Sequence, residues 1–272
     1  RGGPSTGLPT KTEQSDLNQA LYGRNGEAPL IVVAASSSAN CFYWAYTAAK
    51  LALEHMTPVI LLTDGYLGNG SQLFRIPKVA DLPGITPRLA TPNDPNYRPF
   101  RRDEETFARE WAIPGMEGLR HRVGGLEKCP DGPLSTDPEN HALMVHNRQE
   151  KVNRVANYIP DQEVTGDPNA DLLVVGWGGT SGALTLAVEE MNKEGKKVAY
   201  THFNYICPLP KNTGEILHKY KKIVVCELNN GQFAGYLRTQ FPECPMKQYN
   251  KIMGLPFEVG ELKDCFTKIL GE

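Results

Sequence analysis

The sequence predicts an α/β fold built from two open, mostly parallel sheets with helices on both faces. Three observations carry that expectation. Four short runs, LIVVAA at 30–35, VILLT at 59–63, LLVV at 172–175 and IVVCE at 223–227, are apolar without alternation, as in strands buried on both faces. Helical patterns lie between them, with short connections that imply parallel pairs and right-handed crossovers. The composition, 40% hydrophobic and 22% charged, is that of a globular chain.

Along the chain, Thr10-x-x-Glu13 forms a capping box for a short helix carrying Leu17 and Leu21 on one face, with Gly23 as its C-cap. After the strand at 30–35, Ser36 to Asn40 turn the chain into a helix that runs to about His55, with Phe42, Tyr43 and Tyr46 near its start. A second buried strand at 59–63 ends at Asp64-Gly65. Residues 77–138 hold ten of the 21 prolines, which forbids long helices and central strands there. They read as a connecting arm over the surface of two blocks with separate cores. Asp137-Pro138-Glu139 is a cap with a first-turn proline, opening a helix that places Val145, Val152, Val155 and Ile159 at helical spacing.

The second block starts with the strand at 172–175 and a glycine-rich turn, Gly176 to Gly182. A helix to Glu194, a strand at 197–200, a proline loop at Pro208 and Pro210, a short helix near Ile216 and the strand at 223–227 follow. Asn229-Asn230-Gly231-Gln232 precedes another helix, and an amphipathic helix spans about 259–270. The expected division is 1–77, 78–160 for arm and linking helix, and 161–272.

Several functional classes are disfavoured. Lys and Arg number 29 against 31 Asp and Glu, a net charge of -2 without a basic stripe, so nucleic acid is not an expected partner. No apolar run approaches the ~20 residues of a membrane span. The six cysteines form no C-x-x-C pair, and the six histidines lack metal-site spacing, so no metal site is expected. Cys41 and Cys226 sit in apolar contexts that suit reduced thiols in a cytoplasmic protein. Gly176-x-Gly178-x-x-Ser181 approaches a dinucleotide fingerprint, but it has serine at the third glycine and no acidic partner, so a tight turn without a ligand is expected. The chain opens on Arg1-Gly2-Gly3-Pro4 with no initiator methionine and no apolar leader, and is expected to begin inside a larger protein. The Gly/Pro-rich segment 1–10 is either a loop that brings backbone and the Arg1 fork to a ligand or a turn that caps a helix.

The pieces RGGPSTGLPTKTEQSDL, HMTPVILLTDGYLGNGSQLFRIP, RRDEETFAR, RVGGLEK, STDPENH, VVGWGGTSG and VCELNNGQFAGYLR, in this order, resemble the alpha subunit of 2-oxoacid:ferredoxin oxidoreductases, in particular the 2-oxoglutarate type. The resemblance implies that 1–77 is the C-terminal half of a thiamine-diphosphate pyrimidine-binding-type domain, and that 161–272 is a transketolase-C-terminal-type domain. It also implies oxidative decarboxylation of a 2-oxoacid to an acyl-CoA, with single electrons passing through an iron–sulfur cluster to ferredoxin.

On the same resemblance Arg1 holds the substrate carboxylate, and Thr10 either contacts the substrate or caps the helix. The family glutamate that activates the cofactor lies upstream of the RGGPSTG loop, and the diphosphate–magnesium motif lies on a separate beta subunit. The fragment alone is therefore expected to carry no catalytic residue, to bind no cofactor, to be inactive and to self-associate. Pyruvate or another 2-oxoacid stays open as substrate, as do a non-catalytic scaffold and a nucleotide-binding module.

Overall fold

The computed structural model describes residues 7–8 and 11–272. Arg1, Thr10 and the cap expected of Thr10 lie outside the described residues. Helix α1 (Leu17–Tyr22) ends on Gly23 as expected, but its N-cap is Asp16, six residues later than a box at 10–13 requires, and the Asp16 side chain makes no cap. The delay has a cause: the backbone N–H of Gln14 donates to the carbonyl of Leu228 (3.0 Å), holding the segment before α1 against a distant strand end.

The first sheet starts with β1 (Ile31–Ala34), α2 (Cys41–His55) and β2 (Val59–Leu62), and β1 and β2 pair in parallel. Every residue of β1 is buried, on two different cores. Val32 and Ala34 face a cluster shared with the second block, and Ile31 and Val33 pack with Leu51, Val152 and Val155. The expectation of a buried β2 is corrected: its four residues are half-buried because it is an edge strand. A short helix, α3 (Gly65–Asn69), follows it.

Past the arm comes α4 (Pro138–Asn153), capped by the Asp137 carboxylate, which accepts from the N–H of Glu139 at 3.1 Å. The arm holds only a 3-10 turn at Val79–Asp81 and two isolated bridges, as its prolines dictate. It lies across α2 and α4. Trp111 Nε1 donates to the Leu53 carbonyl (2.8 Å), Thr86 N to Glu54 (2.9 Å), and Arg148 on α4 pairs with Glu127 (2.8 Å).

The second sheet is formed by β3 (Thr165–Gly166), β4 (Leu172–Trp177), β5 (Val198–Phe203), β7 (Lys222–Glu227) and β8 (Lys247–Asn250). Its order is β3-β5-β4-β7-β8, antiparallel only at β3. Helices α5 (Ser181–Lys193) and α8 (Val259–Gly271) cover one face, where Leu184, Met191, Leu262 and Phe266 meet Leu172 and Val174. Helices α6 (Thr213–Lys219) and α7 (Gln232–Gln240) cover the other.

The expectation of two separate cores is corrected. Strand β6 (Tyr205–Cys207) leaves the second block and pairs antiparallel with β1, closing the first sheet at three strands in the order β2-β1-β6. Leu17, Val32 and Ala34 then share one apolar cluster with Val175, Phe203 and Phe233. The shared face of β1 is thus buried by α1 together with residues of the second block.

In the arm, Asp103 accepts from the N–H and hydroxyl of Thr106 (2.8 Å each) and pairs with Arg88. Burial raises its pKa, but the bonds from Thr106 and Arg88 prevail and hold it at about 2. A carboxyl held below its unfolded value adds stability above pH 4 that disappears as pH falls toward 2, on the order of 1–2 kcal/mol after allowance for solvent screening. Amide exchange in the arm should therefore accelerate between pH 4 and 2.5 in the parent and stay nearly flat in Asp103→Asn. Equal pH dependence in both proteins would contradict the assignment.

Candidate functional site

Open parallel sheets bind their ligands at the carboxyl ends of the strands. Here the carboxyl ends of both sheets converge on one edge, because Gln14 to Leu17, Ala35, Leu62 to Asp64, and Trp177 and Gly178 line a common cavity. The segment that follows Thr10 runs through this junction.

Gln14 is the central residue. Its Nε2 donates to the Trp177 carbonyl (2.7 Å) at the end of β4, and its Oε1 accepts from the N–H of Leu228 (2.9 Å) just past β7. Its backbone completes the join, donating to the Leu228 carbonyl (3.0 Å) and accepting from Asn229 Nδ2 (2.9 Å). Gln232 extends it, donating from Nε2 to the Ser15 carbonyl (2.9 Å) and accepting from the N–H of Asn18 (2.9 Å). All hydrogen-bonding atoms of the buried Gln14 amide side chain that meet these strand ends are spent on backbone, so its role is to place the chain.

Asp64 makes a second join. One carboxylate oxygen caps α3 through the N–H of Leu67 (3.0 Å), and the other accepts from the N–H of Gly179 (3.0 Å) beyond β4. The glycine-rich turn is what permits this. A Cβ on Gly179 would lie 2.1 Å from the Asp64 carboxylate, and Gly178, at φ +58°, has Gln14 Nε2 where a Cβ would point. The turn expected to reverse the chain without a ligand is thus the contact surface between the two sheets.

Below it, Glu227 is fully buried and accepts from Trp177 Nε1 (3.1 Å), the N–H of Phe233 (2.8 Å) and the N–H of Ala234 (2.9 Å). Burial keeps its carboxyl above the ordinary range, against the lowering effect of those bonds. It anchors the start of α7 and, through Trp177, the end of β4. His202, at the end of β5, is pushed by burial to about 3 and is neutral, with Nδ1 bonded to the Tyr200 hydroxyl (2.6 Å).

The cavity at this junction measures about 20 Å³, room for a water and not for a cofactor. A larger cleft of about 530 Å³ lies beside α1 and the loop after β6, but Arg24 there spends its guanidinium on the carbonyls of Ala20, Leu21 and Ala28. The residues that build the junction, Gln14, Asp64, Glu227 and Asn229, escape sequence reading because their partners are remote; Gln14 and Leu228 are 214 positions apart. Of the residues expected at the site, Arg1 and Thr10 lie outside the described residues.

Two family models match the chain: "pyruvate flavodoxin/ferredoxin oxidoreductase, thiamine diP-bdg" over residues 1–131, and "pyruvate:ferredoxin oxidoreductase core domain II" over 170–256. A curated relative from Mycobacterium tuberculosis, the 2-oxoglutarate oxidoreductase subunit KorA, is 48% identical over 96% of this chain and 40% of its own length. The alpha subunit of a 2-oxoacid:ferredoxin oxidoreductase from Aeropyrum pernix is 30% identical over 99% of this chain and 43% of that protein. Among solved structures, the 2-oxoglutarate:ferredoxin oxidoreductase of Magnetococcus marinus, with 2-oxoglutarate, coenzyme A and succinyl-CoA bound, superposes with a TM-score of 0.92. That match is 31% identical over 99% of this chain and 47% of that one. The chain therefore spans less than half the length of these relatives.

Two glycines near the junction should behave oppositely. Gly179→Ala must displace the Asp64 carboxylate, which loses charge-assisted hydrogen bonds, and should cost about 2–4 kcal/mol. Gly182→Ala, within α5 and facing open space, should gain about 0.5–1 kcal/mol. Denaturant midpoints measure both, and a Gly179→Ala protein as stable as the parent would show that the Asp64 contact does not join the sheets.

Proposed function

The chain belongs to the 2-oxoacid:ferredoxin oxidoreductase family, and on that premise we propose that it forms the substrate side of an alpha subunit in an enzyme that oxidatively decarboxylates 2-oxoglutarate. The reaction takes a 2-oxoacid, coenzyme A and two oxidised ferredoxins to an acyl-CoA, carbon dioxide, a proton and two reduced ferredoxins. The observation that carries this reading is the match over 99% of the chain, at a TM-score of 0.92, to a structure holding 2-oxoglutarate and succinyl-CoA.

In this reading residues 1–77 are the C-terminal half of a pyrimidine-binding-type domain, 78–160 the arm and linking helix, and 161–272 a transketolase-C-terminal-type domain. The beta subunit, ferredoxin and coenzyme A are partners in the assembled enzyme, and this chain alone self-associates. No described helix is long and apolar enough to cross a membrane. Placement in the cytoplasm belongs to the same proposal.

Thiamine diphosphate does not fit the described residues by themselves. The junction cavity is about 20 Å³, and its carboxylates Asp64 and Glu227 are committed to backbone and indole N–H groups, leaving no cradle for a diphosphate or its magnesium. The cofactor, with magnesium and an iron–sulfur cluster, is assigned to the complete enzyme. What this chain contributes is binding and orientation. In this reading Arg1 is the residue that holds the substrate carboxylate, and Thr10 either contacts the substrate or caps the helix. Gln14, four residues after Thr10, fixes where that loop rejoins the sheet ends.

In the assembled enzyme, Arg1→Lys should keep the charge, lose one of two charge-assisted hydrogen bonds, and lower kcat/KM for the 2-oxoacid by roughly tenfold to a hundredfold. Saturation by coenzyme A should be unchanged. Thr10→Val separates substrate contact from capping: a cap costs about 1 kcal/mol of stability and leaves kinetics alone, whereas a substrate contact lowers kcat/KM with the fold intact. Parental kinetics in Arg1→Lys for every 2-oxoacid tried would remove this loop from the site.

A further inference from the structure

We propose that His218, Glu243 and Cys244 form a binding site for a zinc-like divalent cation, at the opposite edge of the second sheet from the functional junction. No spacing in the sequence announces this site; the fold assembles it. His218 lies in the last turn of α6, just before the amino end of β7, and Glu243 and Cys244 lie in the loop between α7 and the amino end of β8. Nε2 or Nδ1 of the histidine, a carboxylate oxygen and the thiol lie within 4.8 Å of one another. In a tetrahedral zinc site, ligand atoms sit about 3.3–3.8 Å apart, so closure around an ion needs a contraction of about an ångström.

Two features prepare the site. His218 Nδ1 lies 2.6 Å from the carbonyl of Gly214, an acceptor only, so Nδ1 carries the proton and the Nε2 lone pair points away from the helix. Metal-binding histidines are oriented this way, with the second nitrogen donating to a carbonyl. The Nε2 atom faces Glu243 Oε1 at 3.1 Å. Two acceptors at that distance require either a second proton on the ring, giving a plain ion pair, or a cation shared between them. The buried thiol of Cys244 beside them favours the cation, because a soft ligand adds to the N and O donors and leaves a fourth position for water. The loop is also held in place. Cys244 N donates to the Phe241 carbonyl (3.1 Å), Phe241 N to Leu237 (2.8 Å), and the Phe241 ring packs where a Cβ on Gly214 would stand, so α6 and the loop approach as one unit.

Three ligands and an open position resemble catalytic zinc sites, but the placement at the amino ends of the strands removes this one from the junction. The ion would tie α6 to the α7–β8 loop. The inference is independent of the proposed reaction.

The test is zinc binding by the full-length enzyme, freed of exogenous metal and titrated with Zn²⁺ against a chromophoric chelator, with zinc-edge X-ray absorption on the loaded protein. The expected result is one zinc per chain with one sulfur at about 2.3 Å and lighter ligands near 2.0–2.1 Å. Cys244→Ser should remove the sulfur shell. His218→Gln should weaken binding by at least about tenfold, the loss seen even for partners outside the ligand shell. Zinc should raise the thermal midpoint of the parent and not of either variant. Should one of them fail to fold, Glu243→Gln at a half-exposed position replaces it. No zinc bound, zinc bound without sulfur, or zinc bound equally by parent and variants would each leave only a surface His–Glu ion pair and overturn the proposal.

Discussion

The structure depends on Gln14. Two sheets with buried, apolar strands can pack in many relative positions, because hydrophobic burial is not directional. The amide of Gln14 is directional. It donates to the end of β4 and accepts from the residue beyond β7, while its backbone pairs with Leu228 and Asn229. Each bond contributes about 1 kcal/mol net, a small share of the burial in the shared cluster. Their effect is to fix one path for the chain before α1 against the ends of β4 and β7. Asp64, at the end of β2, makes the direct join from the first sheet to the second by accepting from the N–H of Gly179 beyond β4.

The arrangement also explains the glycine-rich turn. Gly178 and Gly179 sit where Gln14 and Asp64 must approach the backbone, so a side chain at either position would push the sheets apart. The resemblance of this turn to a dinucleotide fingerprint is a shared solution to a shared steric problem, the close approach of another group to the backbone at a strand end. In one case that group is a ligand, and here it is the other half of the protein.

What can be read from the sequence follows the range of the interactions. The buried strands β1, β4 and β7, the Asp137 cap of α4 and the amphipathic helix α8 are written in neighbouring residues and are found where local rules place them. Strands β3, β6 and β8 are not. Thr165–Gly166 is two residues long, Tyr205–Cys207 is paired with residues 172 and 175 positions away, and the residues KQYN of β8 have no apolar pattern because an edge strand needs none. The delayed start of α1 has the same origin, since a contact 214 positions away overrides a local cap. The junction residues share this character: a glutamine between a glutamate and a serine carries no signal of the strand ends it holds. The family resemblance was legible for a different reason, through long motifs in a fixed order, and four of them carry the junction residues Gln14, Asp64, Gly179 and Glu227.

In the proposed function, the substrate-binding role given to Arg1 and Thr10 depends on the anchor that Gln14 supplies four residues later. The most direct measurement of that dependence is the kinetics of Gln14→Glu in the assembled enzyme, at a temperature where circular dichroism shows the fold intact. Glutamate retains the acceptor for Leu228 but loses the donor to Trp177, facing one oxygen with another. The account predicts a rise in KM for the 2-oxoacid of about tenfold, the equivalent of one such hydrogen bond, with coenzyme A saturation unchanged. A folded Gln14→Glu enzyme with the parental KM for the 2-oxoacid would contradict it.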